Sequence, residues 1–219
     1  MDEYHVNEIV TPPELPGTDR AALLCRAEFM STWLRRLFWV AIAGNVVSLL
    51  AIDAFAGTLV YTLGTALGKL CSVAMAAILI RLGSEHPGYR AAGWLALAAL
   101  LVNSLGELLT RGDASGDLSL LFTLSAAVLG LVGTYREYMA HGEMLWEVDL
   151  VLSKKWKQLW KWYIGSFGIC LGSVLLVILF LPIGIIALIG GAIAIVVVSI
   201  LELVYLWQSA KAFEALMRT

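Results

Sequence analysis

The sequence predicts an all-α, polytopic membrane protein with six transmembrane helices. Three observations lead there: the composition, the number of long apolar windows, and the placement of the basic residues. Of 219 residues, 60% are hydrophobic and only 15% charged, which is more apolar surface than one soluble core of this size can bury. A spanning helix needs roughly 20 mostly apolar residues, and the windows 37–56, 59–82, 91–109, 118–139, 163–181 and 183–207 meet that demand. With the N-terminus inside, every Lys and Arg except Lys69 and Arg111 falls on a cytoplasmic segment, the bias known as the positive-inside rule. Both termini are then cytoplasmic, in a plasma membrane of bacterial type.

The second window needs that charge test, because Lys69 sits near its middle and a basic residue there costs roughly 2.5–3.5 kcal/mol on insertion. Without this span, everything downstream would reverse and the cluster Lys154, Lys155, Lys157, Lys161 would lie outside. The window is therefore read as spanning. All eight tryptophans also fall in or beside the predicted cytoplasmic segments, so the inner interface is the anchored one.

Taken in order, residues 1–18 form a polar tail with three prolines and a glycine, a composition that favours an extended, mobile chain. Its acidic start lacks the basic and apolar regions of a secretory signal. Residues 19–36 place Leu23, Ala27, Met30 and Leu34 at helical spacing, with arginines elsewhere around the turn. They read as an amphipathic helix, either in the interface or packed on the protein. Spans one to four follow across 37–139.

The connector 140–162 carries the stripe Leu145, Val148, Leu152, Trp156, Leu159, with Lys154, Lys157 and Lys161 on another side. Gly142 is expected to interrupt the helix leaving the fourth span. Such a helix suits the headgroup region of an anionic leaflet, with a brace across the bundle ends as the alternative. Its candidate lipid or partner surface is Trp146, Lys154, Lys155, Trp156, Lys157, Trp160, Lys161 and Trp162. Spans five and six occupy 163–207, and 208–219 is a short cytoplasmic tail.

Polar residues within spans are expensive and mark function. At 1.5 Å rise per residue, Asn45, Lys69 and Asn103 fall near the bilayer midplane, with Asp53 and Glu107 roughly 10 Å outward. Adjacent helices would join these five into a track along which Lys69 exchanges between carboxylates and a substrate. The competing reading is an ion pair that fixes helix register. Arg136 and Glu202 are candidates for coupling the connector to the bundle. His141, Glu143, Glu147 and Asp149 lack the spacing of a metal-binding helix and read as a solvated face.

These features favour a channel or transporter subunit, homo-oligomeric if several copies surround one path. A non-transporting scaffold or sensor that binds anionic lipid or a partner protein is the second reading. A net charge of −2 with no basic stripe on a soluble face argues against nucleic acid. Cys25, Cys71 and Cys170 show no zinc or disulfide spacing, and no cofactor motif occurs. His5, His86 and His141 lie outside the predicted spans, so none is placed to activate a serine at membrane depth. A carboxylate mechanism stays open.

Overall fold

The computed structural model describes residues 17–52, 55–110 and 117–218, which contain six long helices and no strand. They are α1 (Gly17–Ser48), α2 (Leu59–Leu82), α3 (Pro87–Leu109), α4 (Asp117–Met144), α5 (Leu150–Leu179) and α6 (Leu181–Leu216), with a short 3-10 helix at Leu49–Ala51 after α1. Each is long and apolar enough to cross a membrane.

Local chemistry sets the boundaries. Thr58 caps α2 by accepting from the Tyr61 amide. At the start of α3, His86 accepts from the Gly88 amide and Pro87 occupies the first turn, where a missing N–H costs nothing. Asp149 caps α5 through the Leu152 amide, so this residue of the expected solvated face ends one turn and starts the next helix. Between α5 and α6 only Phe180 is non-helical, and Gly184 permits so sharp a reversal because any Cβ there would meet the Val177 backbone.

Every helix packs against its neighbours in sequence, and α6 packs back on α1. The bundle is therefore a closed ring made by one chain. Four contacts gather the N-terminal part of α1, the α2–α3 turn, the α4–α5 turn and the end of α6 at one end. These are Arg26 with Glu85 at 3.1 Å, His86 with Glu143 at 2.8 Å, Arg35 with Glu214 at 2.7 Å, and Ser153 Oγ donating to the Gly142 carbonyl at 2.6 Å. This end holds Lys154, Lys155, Lys157 and Lys161 and is called the basic end below.

Four sequence expectations change here. The segments 19–36 and 140–162 are not separate interfacial helices: the first is the start of α1, and the second divides into the end of α4, a turn, and the start of α5. At 1.5 Å per residue α1, α5 and α6 are about 48, 45 and 54 Å long, well beyond a hydrocarbon core of roughly 30 Å. Each is longer than a single crossing needs. Gly142 does not break α4; a Cβ there would press on Lys157 Cγ and the Ser153 carbonyl, so the glycine allows α4 and α5 to approach. The stretch 208–216, expected as tail, continues α6.

Both apolar stripes face inward. Ala27, Met30, Leu34 and Leu37 on α1 and Leu145, Leu152, Trp156 and Leu159 at the α4–α5 junction are all buried in one hydrophobic core at the basic end. The opposite end is looser, and large apolar side chains such as Leu59, Ile178 and Ile186 point outward there, as lipid contact requires. Of the glycine pairs at GxxxG spacing within helices, Gly64/Gly68 on α2 and Gly168/Gly172 on α5, Gly64 lies against the Leu50 backbone, whereas nothing approaches Gly168 or Gly172. Gly184→Leu is accordingly expected to abolish the folded, monodisperse protein in detergent, and Gly168→Leu to leave its elution and melting temperature unchanged.

Candidate functional site

Ring closure around a loosely packed half leaves space in the middle. One cavity of about 600 Å³ is lined by α1, α2, α3 and α6, including Asn45, Lys69, Asn103 and Glu202. A second, of about 480 Å³, lies towards the basic end and includes Thr134, Glu137, Tyr138, Tyr163 and Glu202 in its lining. The two share Ser72, Met75, Leu100, Asn103 and Glu202, so they adjoin at a common waist.

Of the five track residues, four are described and Asp53 lies outside the described residues. Lys69 Nζ lies 2.5 Å from Glu107 Oε2, and Asn103 Nδ2 donates to Glu107 Oε1 at 3.1 Å. The pair forms because α2 and α3 are neighbours and the lysine stem lets the ammonium reach a carboxylate at a different depth. Asn45 belongs to the same cavity wall but donates to the Ala41 carbonyl of its own helix. It therefore does not join the network around Glu107.

Arg136 and Glu202 do not pair. Glu202 Oε2 instead accepts from the Tyr138 hydroxyl at 2.9 Å. Two residues apart on a helix are about 200° apart in direction, so with Tyr138 turned inward Arg136 faces out and is exposed.

Sequence reasoning missed the floor of the inner cavity. Glu137 is 9% exposed and His141 fully buried, with Glu137 Oε1 3.8 Å from His141 Nε2. His141 Nδ1 is 2.8 Å from the Tyr89 hydroxyl, and its ring stacks on Trp156 with centroids 4.2 Å apart. Trp156 Nε1 donates to Ser209 Oγ at 3.0 Å. This aromatic layer ties α3, α4, α5 and α6 together and fills the bundle below the cavity. It also corrects two expectations: His141 is core, not solvated face, and Trp156 is core, not lipid surface. The apolar stripe leading to Trp156 and the four-residue spacing of Glu137 and His141 were the available signals.

The remaining surface candidates divide by helix face. Trp146, Lys154, Lys155, Lys161 and Trp162 are exposed. Lys157 and Trp160 are half-buried: Lys157 Nζ sits 5.2 Å from the Trp146 ring centroid, and Trp160 stacks on Tyr163. Glu143 and Glu147 are exposed, the former paired with His86. Chemically the site is a largely apolar space with Lys69, paired to Glu107, on the wall of the larger cavity, Glu202 at the waist and Glu137 towards the basic end. Comparison with protein-family models, curated proteins and solved structures yields no match.

Proposed function

We propose that the chain is a small channel- or transporter-type membrane protein whose path is the central cavity. The observation that carries this reading is the pair of adjoining cavities inside a ring of six membrane-length helices, with Lys69, Asn103, Glu137 and Glu202 on their walls. Charged and amide side chains at membrane depth are retained where a solute, ion or proton must pass. The ring closes within one chain, so this path does not require further copies. Both termini and the basic end are assigned to the cytoplasm by the positive-inside bias. The core around Trp156 then acts as the inner closure, which must rearrange during a transport cycle. The test is flux and current in liposomes for a panel of ions, protons and metabolites. Wild-type protein is expected to conduct and folded Lys69→Met to lose that flux; unaltered flux in the variant would remove Lys69 from the path.

A second reading is favoured by exposed Lys154, Lys155 and Lys161 beside exposed Trp146 and Trp162: this end binds anionic lipid. Neutralising the four lysines of 154–161 is expected to weaken association with anionic vesicles. Unchanged association would exclude it.

A further inference from the structure

The charged side chains that line the two cavities among the described residues are Lys69, Glu137 and Glu202. Lys69 is compensated by Glu107. The inner cavity is thus left with two carboxyl groups and no basic side chain in its described lining. Glu202 accepts one hydrogen bond, from Tyr138. Glu137, nine-tenths buried, has His141 Nε2 at 3.8 Å, too far for a hydrogen bond, and Glu202 close enough to repel it. That nitrogen is itself buried without a partner. A carboxyl group so enclosed, with unused acceptor capacity and an adjoining space of about 480 Å³, requires a positive charge or a proton.

The size and walls of the space decide which class of cation fits. Cavities of roughly 300–1,000 Å³ hold small organic ligands. Tyr138 and Tyr163 line the same cavity, and aromatic faces attract ammonium groups, quaternary ones included. We propose that the inner cavity binds a small organic cation of the ammonium class, with Glu137 and Glu202 as its counter-charges and Tyr138 and Tyr163 beside it. Protons compete for the same carboxyls. The groups bearing on that competition are Tyr89 from α3, Tyr138 and His141 from α4, Tyr163 from α5 and Glu202 from α6; the α2 wall offers Ser72, and α1 offers Asn45 only in the neighbouring cavity. This names a substrate class for the path proposed above and rests on that reading.

The test is equilibrium binding of radiolabelled tetraethylammonium to the full chain in detergent, where no gradient or flux is involved. Saturable binding is expected, weakening on acidification. Glu137→Gln and Glu202→Gln should each weaken it at least about tenfold, roughly 1.4 kcal/mol; Glu143→Gln, at the basic end, should not. Absence of saturable binding by wild type, or wild-type binding by both folded Gln variants, overturns the proposal. Should a Gln variant fail to fold, proton release on binding by the wild type decides, and binding without release at pH values where acid weakens it counts against the site. Binding without flux would refute the transport path and keep the site, whereas flux of other solutes without binding would do the reverse.

Discussion

Replacing Trp156 by alanine is expected to lower the melting temperature of the detergent-solubilised protein sharply, or to prevent its folding. The indole is fully buried, stacks on His141, meets the rings of Tyr138 and Tyr205 and donates to Ser209. Truncating a buried tryptophan costs about 3–5 kcal/mol through lost burial and the cavity left behind, a large share of a stability of roughly 5–15 kcal/mol. Trp156→Phe keeps an aromatic ring and loses the N–H donor, so its effect should be smaller. Scanning calorimetry or a thermal unfolding assay ranks the three proteins, and equal melting temperatures for wild type and Trp156→Ala would contradict the assignment of this residue to the core.

The second large effect concerns the ion pair between Lys69, which lines the larger cavity, and Glu107. Lys69→Met leaves Glu107 with only the Asn103 amide, an unpaired carboxylate in a membrane bundle. Glu107→Gln leaves the ammonium equally unpaired. Lys69 is half-buried and Glu107 exposed, so if hydrocarbon rather than water surrounds the pair, an unpaired charge there is expensive and the double variant Lys69→Met/Glu107→Gln should recover the yield and thermal stability lost by either single change. If Lys69 acts in the path, flux stays lost in the stable double variant. Flux that returned along with stability would show that the pair only fixes helix register.

The split between legible and hidden features follows the physics of each signal. Apolar windows of membrane length need no tertiary information, and each of the six falls on a long helix, although the first, 37–56, overruns α1, which ends at Ser48 and passes into a 3-10 turn. Lys69 and Glu107 sit on helices joined by a short turn, so their proximity follows from ordinary connectivity. Periodicity misplaced Trp156 and left two alternatives open along 19–36, of which packing on the protein holds, because a stripe shows that one face is apolar, not whether lipid or protein covers it. Packing decides: α1 and α5 are longer than a single crossing needs, and both stripes are buried in the core shared with α6 and the α4–α5 turn. Glu137 was passed over and His141 read as solvated because the apolar window ends near them, although α4 continues to Met144. Glu202 stood out in sequence, but its partner depends on which face of α4 turns inward, and that choice excludes Arg136 in favour of Tyr138.

The central claim is that the cavity waist is the path, and blocking that waist tests it most directly. Ser72 lines both cavities, whereas open space surrounds Gly168 on α5. In a background with Cys25, Cys71 and Cys170 replaced, single cysteines at these two positions would be modified with a bulky thiol reagent in liposomes. Modification of Ser72→Cys is expected to abolish flux, and modification of Gly168→Cys to leave it unchanged; complete labelling at position 72 with undiminished flux would contradict the account.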